Sequence, residues 1–187
     1  MVMYAIGLPG GEARICEFPV ADDLAAKIRP GEVAVEIDGW AEGRLSEDGT
    51  AFILHVPGLD ELKAARREEA KRVRRKRIGQ GITVAGIGAI QTDSGPGRDS
   101  LAAIERYASL AARHLDDDPA WSIEWTLADD NEATLDAAQM MAVGDAASAH
   151  EQACRTAANA IFTLIDAAVD EAALAAIDIT AGYPPLP

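Results

Sequence analysis

The sequence predicts an α+β protein in which a small β-rich N-terminal module is followed by a basic connector helix. An α+β domain with short hairpins and a long C-terminal helix then completes the chain. Three observations predict this. Residues 1–57 hold short runs of partly alternating apolar residues split by Gly, Pro and Asp-Gly turns. Residues 58–79 sort acids before bases in a helical pattern. Apolar residues then recur at alternating three- and four-residue steps between Asp136 and Ala168.

In the N-terminal module, residues 1–57, "VMYAIGL", "ARICEFP", "EVAVEIDGW" and "AFILHVP" read as strands. "LPGGE" and "SEDGT" read as hairpin-type turns, because glycine reaches positive φ without steric cost. "FPVADDLAAKIRPGE" interrupts the strands and has room for one or two helical turns. The connector, "GLDELKAARREEAKRVRRKRIG" at 58–79, offers Asp60 as a cap, and its acids precede its bases as the helix dipole requires. Its apolar positions are few, so it either bridges two bodies or runs beside partner copies.

The domain at 80–187 opens with "QGITVAGIGAIQTD", two short strands turning near Gly86 or Gly88. "SGPGRDS" reads as a loop, and "DSLAAIERYASLAARH" as an amphipathic helix with Leu101, Ile104, Tyr107, Leu110 and Ala111 on one face. "SIEWTLADDNEATLDA" reads as a hairpin turning at Asp129–Asn131, and Thr134 or Asp136 would cap the long helix that follows. That helix carries a heptad-like seam of Met140, Val143, Ala147, His150, Cys154, Ala157, Ile161 and Leu164, continuing to Ala168. The seam is the expected oligomer interface. Phe162, Ile165 and Ala158 broaden its face, so packing inside a bundle is the other use of the helix. "TAGYPPLP" is Pro-rich and expected to be extended.

Charge narrows the functional classes. The formal net charge is −14, yet residues 58–80 carry nine bases against four acids. Acidic bodies therefore flank a basic segment, and a chain of this balance is repelled by nucleic acid and by anionic membranes. The basic run "KRVRRKR" at 71–77 has no aromatic residue near it, since none lies between Phe52 and Tyr107. Base stacking would need one. No nucleic-acid or membrane partner is expected, and Arg72, Arg74, Arg75, Arg77 and Tyr183 are candidates for contact with partner proteins. The start of the chain lacks a basic segment leading into a long apolar one, and the most apolar C-terminal stretch is cut by Asp166, Asp170 and Glu171. A soluble protein made in the cytoplasm is expected.

Candidate chemistry is sparse. "GQGITVAGIG" is glycine-rich, but a dinucleotide fingerprint needs a strand before it and a helix opening within it, and here the order is reversed. His150 and Cys154 are four residues apart on one helical face, a spacing that suits two metal ligands, but no segment supplies a third. The acidic runs 116–118 and 129–130 lack the alternate spacing of calcium loops. Cys16 and Cys154 form no disulfide framework and read as two reduced thiols. No catalytic residue, metal or cofactor is expected, so the residues point away from an enzyme.

Two stretches, "AIQTDSGPGRDSLAAI" and "WTLADDNEATLDAAQMMAVGDAASAHEQACRTAANAIFTLIDAA", carry a resemblance. Residues from roughly 60 to 168 resemble a domain-of-unknown-function family carried by tailed bacteriophages and prophages, often beside tail-fibre and tail-assembly genes. The family pattern runs from a Lys/Arg-rich helix through a Gly-rich stretch to "TD" and a short helix. "W-x-x-A-D-N" with a following "T-L" comes next, and then a long helix with a His and a Cys. The chain matches at Thr92, Asp93, Trp125, Thr126, Ala128, Asn131, Thr134, Leu135, His150 and Cys154, and departs by an extra acid in "ADDNEAT".

The resemblance implies a structural component of a phage tail, in the baseplate or tail-fibre region. Such a protein is made in the bacterial host cytoplasm, ends in the virion tail and binds other tail proteins. The threefold and sixfold symmetry of tails makes a homo-oligomer the expectation, a trimer first. The alternatives are a tail-fibre assembly chaperone absent from the mature virion, and a small regulatory or nucleic-acid-binding protein using residues 71–77.

Overall fold

The computed structural model describes residues 2–18, 24, 26–95 and 98–187, with the backbone alone for Arg98. The chain is α+β and divides into two compact units, Met1–Gly58 and Leu59–Pro187.

In the first unit, β1 (Val2–Gly7) lies between β2 (Arg14–Phe18) and β3 (Val33–Ile37), antiparallel to both. As the central strand it buries Ala5 and Ile6 completely. A second hairpin joins β4 (Gly43–Leu45) to β5 (Phe52–Leu54). Gly43 is required there, because a Cβ would lie 2.3 Å from the Ile53 carbonyl oxygen and 2.6 Å from the Phe52 ring. Arg14 grips Glu32 through both guanidinium nitrogens and donates to the Lys27 carbonyl at 2.7 Å, which fixes the entry into β3. This pairing holds the Glu32 carboxyl down at about 2, with the Arg29 amide adding to the effect. The four predicted strand runs contain β1, β2, β3 and β5, whereas β4 was not foreseen. Most of the stretch expected to hold helical turns, residues 19–23 and 25, lies outside the described residues.

The second unit starts with α1 (Leu59–Ile78). The helix begins at Leu59, so Asp60 sits in its first turn and does not cap it. The hairpin of β6 (Ile82–Val84) and β7 (Gly88–Ile90) turns through Gly86 at φ +78°. The expected loop at 94–100 contains a two-residue pairing of β8 (Ser94–Gly95) with β9 (Arg98–Asp99). Asp99 caps α2 (Ser100–His114), accepting from the Ala102 amide, while Asp93 accepts from the Ser100 hydroxyl at 2.8 Å.

The hairpin of β10 (Ser122–Thr126) and β11 (Glu132–Asp136) turns where expected, with Asp130 at φ +63° in the turn. Asp136 then forms a capping box with Gln139 and opens α3 (Ala137–Ala167). A short α4 (Glu171–Ala175), capped by Asp170, precedes a tail without regular structure.

Two apolar clusters organise this unit around α3. The N-terminal half of α3 packs Met140, Val143 and Ala147 against Ile104 and Ala111 of α2 and Leu135 of β11. The axes approach closely because Gly144 faces Ala108, and a Cβ on Gly144 would stand 2.5 Å from the Ala108 methyl. The C-terminal half packs Ile161, Ile165 and Ala168 with Ala70 of α1, Leu174 of α4 and Ile179. The basic helix expected to connect two bodies is thus packed along its length on α3 within the second unit. Ala70, Val73, Leu59 and Leu62 supply the apolar surface for that.

Candidate functional site

Of the residues singled out by the sequence, Thr92, His150, Cys154 and Tyr183 converge on the basic end of α1. A helix leaves its last carbonyls without intrahelical donors. Here side chains from distant segments supply them. Thr92, 1% exposed, donates its hydroxyl to the Ile78 carbonyl and accepts from the Gly81 amide at 2.9 Å. His150 reaches across from α3, and its Nε2 lies 3.0 Å from the Arg77 carbonyl oxygen. A carbonyl only accepts, so the imidazole proton sits on Nε2. The Gly79 and Gln80 amides close the turn on Arg75 and Arg77.

Cys154 lies one helical turn beyond His150, its sulfur 3.7 Å from the same Nε2. It is fully buried, and burial pushes its thiol pKa up. A nucleophilic cysteine needs the opposite: a lowered pKa and a base with a free lone pair. The nitrogen nearest the sulfur is already a donor to Arg77, so the pair is arranged for packing and not for proton abstraction. Among the described residues, no three His, Cys, Asp or Glu side chains group as metal ligands would. Tyr183 completes the cluster. Its ring lies 5.8 Å from the Arg77 guanidinium, and burial raises the pKa of its hydroxyl. The tail bearing "YPPLP" therefore lies against α1 of its own chain.

Farther along α1, Lys63 donates to the Asp166 carbonyl at 2.9 Å, and Arg67 pairs with the Asp166 carboxylate while lying over Phe162 at 5.0 Å. Arg66 bonds to Glu69 and to the Ile177 carbonyl, both at 2.7 Å. Lys71 pairs with Glu68. The cations thus separate into those that hold α1 in place and those left outside. Arg72 and Arg75 are exposed, Arg74 is half-buried, and Arg77 is committed to Tyr183.

The seam residues lie mainly inside the chain. Met140, Val143, Ala147, Cys154, Ala157 and Ile161 are buried by elements of the same unit, and His150 is half-buried. Leu164 departs from this pattern at 56% exposed, whereas Ile165 beside it is fully buried. A strict heptad drifts by about 20° per repeat against a straight helix, so after three repeats the inward position moves one residue on. The apolar character of the seam is accounted for by its own α1, α2 and α4. On the outward side, Ala149, Ala153, Ala160 and Leu164 line an open groove of about 830 Å³ with Asp178 and Gly182.

Trp125 is the aromatic anchor the hairpin predicts, meeting Tyr107 edge-on at 6.0 Å. Asn131 ties the turn to Asp129 and accepts from the Leu127 amide through its carbonyl. Sequence reasoning missed Lys63, Arg67 and Asp166, whose link spans about a hundred residues, and the Gly144–Ala108 contact, signalled only by a glycine within a long helix.

An α+β unit built on a long helix, with a basic helix clamped along it, is what the chain presents. Residues 61–181 match the family described as a domain of unknown function (DUF4376), and the chain belongs to that family. No curated protein and no solved structure matches the chain. The match lies within the second unit and leaves the first outside it. No described helix is long and apolar enough to cross a membrane.

Proposed function

We propose that the chain is a non-enzymatic assembly protein of a bacteriophage tail, in the baseplate or tail-fibre region, working by contact with other tail proteins. The observation that carries this reading is the use made of the family-like residues. Thr92 and His150 close the end of α1, Asp93 tethers α2, Trp125 and Asn131 fix the hairpin, and Cys154 fills the core. None of them presents a free reactive group at an opening. A domain whose motif residues are spent on rigidity acts through its surfaces. A homo-oligomer, trimeric first, is part of the same reading, and the outward faces of α1 and α3 are available for it.

The test is quantitative mass spectrometry of purified particles from the source. A fixed ratio of this chain to the major tail proteins is expected. Absence from particles, with abundance in the lysate, would overturn the structural role in favour of a chaperone that leaves before maturation.

A further inference from the structure

We infer that the outer face of α1, formed by Arg72, Arg75 and Lys76, is a docking surface for an acidic polypeptide. The inference rests on the assembly reading and names the chemistry of the partner.

Nine cations lie on α1. Five are held within the chain: Lys63, Arg66, Arg67, Lys71 and Arg77. Arg74 is half-buried beside Tyr183. Arg72, Arg75 and Lys76 remain, all exposed, and they close no hydrogen bond or ion pair among the described residues. Their spacing of three and four residues places them together on one side of the helix. Glu68, on which both arginines act, is already paired with Lys71. That pairing lowers the Glu68 pKa first, with Arg75 and Arg72 adding to it.

Like charges at these spacings work against a helix. The dipole at the C-terminal turn offsets this for Arg75 and Lys76, but Arg72 stands a turn earlier. Among the described residues its attraction to Glu68 is shared with Lys71 and Arg75. A partner bringing clustered carboxylates removes the repulsion and gives the arginines two-pronged hydrogen bonds.

A nucleic acid fits this face less well. No aromatic side chain lies on α1 for bases to stack on. A duplex also extends its charge far beyond a three-residue patch, across a molecule of net charge −14. A carboxylate cluster on a protein needs to match only the local face, because charges more than about 8 Å away are screened at physiological salt.

The experiment uses the full chain and fluorescence anisotropy, with labelled poly-L-glutamate as one probe and labelled duplex DNA as the other, at low and at physiological ionic strength. The wild type is expected to bind poly-L-glutamate in preference to DNA, and more weakly as salt rises. The Arg72→Glu/Arg75→Glu/Lys76→Glu variant should lose about tenfold or more in affinity while keeping the folded circular-dichroism spectrum, with at most a modest fall in melting temperature from the reversed charges at the helix end. Arg113→Glu, an exposed change on α2, should bind as the wild type does. Failure of the wild type to bind poly-L-glutamate, equal binding by the triple variant, or tighter binding to DNA overturns the inference. The particle measurement is independent. A chain found in particles but indifferent to poly-L-glutamate would remove this face and leave the tail reading standing.

Discussion

His150 Nε2 donates to the carbonyl oxygen of Arg77 across 73 residues of chain, and this one bond sets both the tautomer of the imidazole and the end of the basic helix. Cys154, which shares the same face of α3, is thereby left beside a donor.

Replacing His150 with Ala should cost about 1 kcal/mol, the loss of one of the two hydrogen bonds that the Arg77 carbonyl accepts. The loss should appear in urea unfolding followed by the helical circular-dichroism signal. Nitrogen-15 spectra should show the Nε2–H form of neutral His150. A dominant Nδ1–H form would mean that the Arg77 clamp is not made in solution.

Gly144 and Ala108 permit the close approach of α2 and α3. Gly144→Ala should therefore destabilise by about 1–3 kcal/mol despite the better helix propensity of alanine. Ala108→Gly, harmful alone, should recover part of that loss in the double variant. A coupling energy near zero in the double-mutant cycle would show that the helices have room to spare.

Ile161 and Leu164 are neighbours on α3, but Ile161 is buried whereas Leu164 is exposed. Ile161→Asp places an unpaired charge in the cluster shared with α1 and should cost more than about 3 kcal/mol, enough to unfold the second unit. Leu164→Lys should stay within about 0.5 kcal/mol of wild type with native mass unchanged. A drop in native mass with Leu164→Lys would instead locate a subunit contact on the outward face.

Glu32 gives the first unit a defined acid response. Its folded pKa, about 2, lies below the ordinary 4.5, so the unfolded chain binds the proton more readily. The stabilisation from its pairing with Arg14 is complete above pH 4.5 and fades as pH falls from there toward about 2. Glu32→Gln should flatten this limb. Amide signals of β1, β2 and β3 followed through the acid range would show it, and an unchanged slope in the variant would mean that other carboxylates set the acid limit.

The features legible in the sequence are those governed by neighbours in the chain. Asp136 and Gln139 announce the start of α3 because a capping box is a local bond pattern. The turn at Asp129–Asn131 is legible for the same reason. β4 and α4 escape because elements of three and five residues leave too short a periodic trace. The clamp at the end of α1 was out of reach: Thr92 and His150 were visible as motif members, but only the fold shows that both serve one helix end. Sorting the cations likewise depends on Asp166, Ile177 and Tyr183, from 99 to 111 positions away in the pairs with Arg67 and Arg66.

Those separations impose an order in time. A ribosome makes about 5–20 residues per second, so roughly 4–15 seconds pass between the emergence of Arg77 and that of His150. Through this interval the lysine- and arginine-rich segment lacks both the bond from His150 and the tyrosine cover. Every nascent copy therefore passes through a stage in which its most cationic stretch is uncovered, and that stage lasts at least until Tyr183 has been made.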